Sequence, residues 1–369
     1  MQLQSLITSE GMLRLSLEEV VLPAPAPDQI VVRVEASPLN PSDLGLMFGP
    51  VDPTTLAASG THSRPIITGL LPRAALVPLQ ARIGQGMPVG NEGAGTVVDA
   101  GADVRHWIGR TVALPGGAMY SEYRIARAED ALLLSESATP AQGASAFINP
   151  LTALAMIETM RAEGHTALVH TAAASNLGQM LNRICLADGV PLVNIVRSPA
   201  QSAILAKIGA PHIVDSSSPE FRAALEDAIE ATGATLAFDA LGGGPIAGQI
   251  LSAMEASETA KLTAYSRYGS PVHKQVYLYG ALDIRPTEIG RDVGMAWGVG
   301  GFLLPYFLAR AAPDVSQRMR ERVAAELTST FASHYSSEIS LREVLRPDII
   351  TRYLRKATGE KFLLNPAKA

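Results

Sequence analysis

One cysteine, Cys185, stands among 369 residues. A single thiol excludes a disulfide within the chain and a four-cysteine zinc lobe. Charged residues make up only 18% against 47% hydrophobic, which excludes a disordered chain. The net charge is −5 and no basic run is present, so nucleic acid is not an expected partner. No apolar run is long enough to span a bilayer, so no membrane partner is expected. Met1 to Gln4 is not a basic segment leading into an apolar core, so no signal peptide is read there. Histidines 62, 106, 165, 170, 212, 273 and 334 show no metal-ligand spacing. These absences suit a cytoplasmic protein long enough for two domains.

What is present centres on His165 to Arg197. Thr166 to Val169 is a short apolar run leading to a turn of small residues, Ala172 to Gly178. Leu177, Leu181, Ile184 and Cys185 then recur at helical spacing, and Pro191 to Val196 reads as a second strand. The whole is a βαβ unit. A helix N-terminus attracts a pyrophosphate, and a turn of small residues lets it approach. Set against G-x-G-x-x-G, only Gly178 is kept, with Ser175 and Ala173 at the other two positions. On the turn alone, a phosphate cradle and a βαβ unit without ligand stand about even. Arg197 lies nineteen residues past Gly178 (197 − 178), where an acid would hold the ribose of NAD. Arginine there, with Ser198 beside it, favours the 2′-phosphate of NADP.

Upstream, Leu13, Leu15 and Leu17 alternate with polar residues, as do Ile30, Val32 and Val34. The first part of the chain therefore reads as β-rich. Residues 44–88 are punctuated by prolines, with a short helix expected within Leu70 to Ile83. Downstream, helices over Ala200–Ile208, Phe221–Thr232 and Ile246–Met254 alternate with strands at Ile213, Thr235–Asp239, Ala260–Tyr265 and Val276–Tyr279. That alternation predicts an α/β, doubly wound parallel sheet. The tail reads as a long helix over Phe302–Thr328, a strand near Ile339, a helix from Ile349 to Ala357 and a last strand, Lys361–Leu364.

Six motifs then fall in order: Asn40-Pro41-Ser42-Asp43, Gly90-Asn91-Glu92-Gly93-Ala94-Gly95, Asn149-Pro150-Leu151-Thr152-Ala153, the turn at 172–178, Asp239-Ala240-Leu241-Gly242-Gly243, and Ala357-Thr358-Gly359-Glu360-Lys361. With them the chain resembles the medium-chain dehydrogenase/reductase superfamily. Within it, the chain is similar to the zinc-independent quinone oxidoreductase and 2-enoyl thioester reductase branch. The resemblance implies a Rossmann NADP-binding domain, 147–298, and a GroES-like catalytic domain, 1–146, completed by 299–369. It implies Ser175, Asn176, Leu177 and Gly178 at the pyrophosphate, with Thr152 and the Tyr279-Gly280 turn near the nicotinamide. It also implies a homodimer.

The superfamily's zinc enzymes carry a cysteine and a histidine where this chain has Asn40 and Asn91, and a neutral amide is a poor zinc ligand. No metal is expected, which disfavours a zinc alcohol dehydrogenase. Conjugate reduction needs none: hydride adds to a quinone or an activated alkene, and hydrogen-bond donors meet the charge on oxygen. The expected function is NADPH-dependent reduction of a small quinone or α,β-unsaturated carbonyl compound. Enoyl thioester reductases carry a proton-donating tyrosine at the position of Val51. Tyr120 is a substitute, its alternative being a core tyrosine. Asn40 could donate its amide to substrate oxygen, its alternative being a turn residue before proline. Asp43 and Glu92 are expected to hold loops. A rival reading is an NADPH-binding structural or sensor protein. The segment 51–88 is expected to form a lid, a dimer contact or a small substructure.

Overall fold

A computed structural model describes residues 1–355 and 359–368. The chain divides into two compact units, 1–148 with 320–369, and 149–319. The second unit thus ends about twenty residues later than the sequence reading placed it.

The first unit opens with β1 (Gln2–Ile7), β2 (Met12–Glu18), β3 (Gln29–Pro38) and α1 (Pro41–Met47). Next come β4 (Ala57–Gly60), β5 (Pro65–Leu70), α2 (Arg73–Leu76) and β6 (Met87–Pro88). β7 (Glu92–Ala100), β8 (Thr111–Pro115), β9 (Tyr123–Arg127), β10 (Leu132–Leu133) and α3 (Pro140–Gly143) follow. The helix α4 (Ile148–Ala162) leads into the second unit: β11 (Leu168–His170), α5 (Asn176–Asp188), β12 (Leu192–Val196), α6 (Pro199–Ile208), β13 (His212–Asp215), α7 (Phe221–Thr232) and β14 (Leu236–Asp239). It continues with α8 (Ile246–Ala260), β15 (Lys274–Leu278), β16 (Trp297–Gly301), α9 (Leu304–Arg310) and α10 (Pro313–Ala325). The chain returns to the first unit within α10, at Arg320, and goes on with β17 (Ser337–Ile339), α11 (Pro347–Leu354) and β18 (Phe362–Leu364).

In the first unit one sheet runs β4-β5-β2-β1-β6 and another β10-β8-β7-β3-β18-β17, with β9 also on β3. The leucines of β2 alternate inward: Leu13, Leu15 and Leu17 join Leu3, Ile7 and Ile67 in one core. Ile30, Val32 and Val34 of β3 form a second core with Val97, Val112 and Leu114. The C-terminal β18 pairs antiparallel with β3, Leu363 opposite Pro38.

The segment 51–88 is built into this unit as a substructure. β4 and β5 form a hairpin, and β5 pairs antiparallel with β2 from Met12↔Leu70 to Ser16↔Ile66. Arg82 ties the far end down, donating to Ser5 Oγ at 2.5 Å and to the Leu46 carbonyl at 2.7 Å. Val51 lies in the same core as Ile67.

The second unit is a sheet in the order β13-β12-β11-β14-β15-β16, with every adjacent pair parallel. Counted within the unit, that is 3-2-1-4-5-6, the doubly wound order whose switch point lies between the first and fourth strands. All five residues of β12 are buried, as in a strand covered on both faces.

Two expected elements differ and one element is additional. Ala260–Tyr265 is not a strand: α8 stays helical to Ala260, and β15 takes the place beside β14. Glu255 fastens the end of that helix, accepting from Lys274 Nζ, Thr259 Oγ1 and Ser270 N. The long helix over 302–328 is two, α9 and α10, because Pro313 lacks the N–H a continuous helix needs. β16 was not anticipated, since Trp-Gly-Val-Gly-Gly has little strand propensity. Of the tail helix and the last motif, Lys356, Ala357 and Thr358 lie outside the described residues.

Candidate functional site

The first unit buries a polar cluster beside α1. Asp43, in the first turn of α1, accepts from Asn40 N (2.8 Å) and Asn91 N (2.8 Å). Asn40 Nδ2 donates to Glu92 Oε1 at 2.7 Å. The other Glu92 oxygen accepts from the backbone N–H groups of Phe147 and Ile148, both at 2.9 Å. That places a carboxylate at the start of α4, where the helix dipole favours it. Lys361 Nζ donates to Ser145 Oγ at 2.7 Å, and Tyr335 Oη meets the same oxygen at 2.9 Å.

Burial dominates the protonation of this cluster. It pushes Asp43 up to about 7, against its two backbone hydrogen bonds. It pushes Glu92 up, opposed by the charge of Lys361 and by hydrogen bonds. It pushes Lys361 down to about 8, opposed by the charges of Glu92 and Asp43.

Asn40 is thus buried, with its amide already engaged by Glu92. Tyr120 is fully buried, and its hydroxyl donates to the Pro38 carbonyl at 3.0 Å. Gly90 makes room for it: a Cβ there would stand 2.6 Å from the Tyr120 ring and backbone. This is the geometry of a core tyrosine, with its donor already used. Val51 is buried too, so no hydroxyl stands where the enoyl reductases carry their tyrosine. Asn91, the counterpart of the zinc enzymes' histidine, gives its N–H to Asp43 and its amide to Ser42 Oγ at 3.2 Å. Two neutral amides engaged in this way do not suit zinc. Among the described residues, no group of three or more His, Cys, Asp or Glu could hold a metal ion.

In the second unit the turn after β11 leads into α5. Ser175 is the N-cap, its Oγ accepting from Gly178 N at 3.1 Å. Gly178 has no alternative: a Cβ would lie 2.2 Å from the Ala173 carbonyl oxygen. The third fingerprint position keeps its glycine because the first turn of the helix packs this closely on the loop that precedes it. The second position tolerates serine because Ser175 caps the helix. Asn176 and Leu177 open α5, where backbone N–H groups and the dipole suit a pyrophosphate. Arg197 is exposed just past β12, and Ser198 caps α6. These residues fit a dinucleotide with a 2′-phosphate.

The carboxyl ends of β11, β14 and β15 lie side by side. At the end of β14, Asp239 accepts from Thr171 Oγ1 (2.6 Å) and from the N–H groups of Leu241 and Gly242. Past β15, the Tyr279-Gly280 turn packs so near that a Cβ on Gly280 would meet the Ala240 carbonyl oxygen at 2.4 Å. Thr152 is buried on α4. The sequence reading missed His170, the last residue of β11. It is fully buried, and its Nε2 lies 2.8 Å from Tyr279 Oη with the rings stacked at 5.7 Å. An imidazole closing an otherwise apolar strand was the available signal.

A parallel sheet in this order, with a capped phosphate turn on its first helix, defines a dinucleotide-binding fold; a β-rich unit precedes it. The chain's likenesses to known proteins agree. No family model matches it. It is 28% identical over 210 residues to the mitochondrial enoyl-[acyl-carrier-protein] reductase of Xenopus tropicalis, 54% of this chain and 51% of that protein. The chain spans about half the length of the curated relatives it matches. A structure assigned as an NADPH:quinone reductase of Mesorhizobium loti superposes with a TM-score of 0.72 at 23% identity, covering 99% of this chain and 98% of that one. Escherichia coli quinone oxidoreductase complexed with NADPH gives 0.69 at 17% identity over 99% of each chain. The chain has the fold of these reductases.

Proposed function

We propose that this protein is an NADPH-dependent oxidoreductase that reduces a quinone or an activated alkene without a metal ion. The observation that carries the reading is the turn from Ser175 to Gly178, capped and close-packed at the head of α5, one strand away from an exposed Arg197. NADPH, when bound, supplies the hydride. Ser175 to Gly178 would hold its pyrophosphate, Arg197 and Ser198 its 2′-phosphate, and Thr152 and the Tyr279-Gly280 turn its nicotinamide end. Asn40 is the polar group we assign to the substrate side. Glu92 holds one amide hydrogen of Asn40, which leaves the other for a substrate oxygen. Tyr120 supports the loop beneath through Pro38.

A second copy of the chain fits the free edge of β16. Met295, Leu303 and Tyr306, which flank that strand in sequence, leave apolar surface exposed. Sedimentation at micromolar concentration should give a dimer on this reading.

The test of function is NADPH oxidation with 9,10-phenanthrenequinone, 1,4-benzoquinone and a crotonyl thioester, run in parallel with NADH. Turnover with NADPH and much less with NADH is expected. Tight NADPH binding with no turnover on the whole panel would instead support the structural or sensor reading.

A further inference from the structure

The reading above gives the substrate oxygen a single donor, the remaining amide hydrogen of Asn40. Val51 is apolar, and Tyr120 has given its hydrogen to the Pro38 carbonyl. A developing oxyanion needs such a donor. The second unit contains one more. Tyr279 directly follows β15 at the carboxyl edge of the sheet, where doubly wound folds bind their ligands. It is half-buried, and its hydroxyl lies against His170 Nε2 at 2.8 Å.

The state of that contact follows from the other ring nitrogen. His170 is fully buried, and burial pushes it down to about 3, so the ring is neutral and carries one proton. Its Nδ1 has no hydrogen-bond partner among the described residues. An orphaned N–H in a protein interior is rarer than an under-used acceptor. The proton therefore sits on Nε2 and is donated to Tyr279 Oη. The hydroxyl hydrogen of Tyr279 then has to point elsewhere.

We propose that Tyr279 donates a hydrogen bond to the substrate oxygen that gains charge during reduction, and that His170 is the positioning residue that turns its hydroxyl hydrogen outward. This rests on the reductase reading above. The tyrosine stabilises charge and does not deliver the proton. Burial and the charge of Asp239 hold its hydroxyl well above the ordinary phenol range, and His170 has no onward partner through which to replace a lost proton. The acceptor gains a hydride from NADPH, its π pair moves to oxygen, and water supplies the proton that completes the product.

Two measurements test this. Nitrogen-15 spectra of the ligand-free protein should show His170 protonated at Nε2 and bare at Nδ1; the opposite tautomer overturns the proposal, since Tyr279 would then spend its hydrogen on the ring. Tyr279→Phe keeps the stacking and should lower kcat about 100-fold, a far larger change than any in the NADPH Kd. His170→Gln, which can still donate, should keep most of kcat, whereas His170→Leu should not. A Tyr279→Phe protein with native kcat overturns the proposal while leaving the reductase reading intact. If the native protein binds NADPH and reduces nothing, that reading fails and the proposal fails with it, whichever tautomer the spectra show.

Discussion

Gly178 and Arg197 carry the cofactor reading at the scale of single residues, and each can be tested alone. In Gly178→Ala the new methyl would press on the Ala173 carbonyl, a contact that only backbone movement relieves. Overpacking of this kind costs about 1–3 kcal/mol. Thermal unfolding of the protein should therefore shift down by several degrees, and NADPH titration should show weaker binding; a variant as stable and as tight as the native protein would refute the close-packed turn as a constraint. Arg197→Ala acts differently. A charge-assisted hydrogen bond contributes about 1.5–3 kcal/mol. Its loss should weaken NADPH by roughly tenfold or more while leaving NADH nearly unchanged. Equal losses for both cofactors would remove the 2′-phosphate from the arginine's role. Residue spacing alone could indicate Arg197. It could not indicate His170 or the engagement of Asn40 by Glu92, because those partners are 109 and 52 positions away in the chain.

At the scale of elements, what was legible depended on whether a pattern is local. The alternation in β2 and the helical spacing of Leu177, Leu181, Ile184 and Cys185 in α5 are written in neighbouring residues, and both appear where expected. β16 exists only because β15 offers a partner, so its glycine-rich sequence carries no strand signal of its own. The segment 51–88 is a similar case: its prolines spoke of loops, yet its backbone completes a sheet through β5. Arg82 is the clasp. Arg82→Met would leave the Leu46 carbonyl and Ser5 with one partner fewer. A loss of about 1–3 kcal/mol in denaturant unfolding is expected, with NADPH affinity unchanged. If the variant instead keeps full stability and alters turnover, the segment serves the substrate and its role as part of the sheet is secondary.

For the molecule as a whole, the buried cluster of the first unit sets how stability responds to pH. Asp43 titrates near 7 in the folded chain against 3.8 as an ordinary aspartate. Between those values the folded chain keeps a proton that the unfolded chain has released, so stability falls as pH rises from about 4 to about 7. Glu92 is shifted in the same direction and deepens the fall. Lys361 works in the opposite sense higher up, titrating near 8 when folded against 10.5 as an ordinary lysine. Over that upper window the unfolded chain holds the extra proton, and stability recovers with pH. Calorimetric unfolding across this range should therefore pass through a minimum near pH 7–8. Asp43→Asn, which keeps one acceptor for the two N–H groups, should start lower at pH 5 and flatten the acid-side slope. Lys361→Met should remove the alkaline recovery. A native profile that climbs steadily from pH 5 to pH 8 would mean that Asp43 and Glu92 are ionised throughout, with solvent or an unseen cation reaching them.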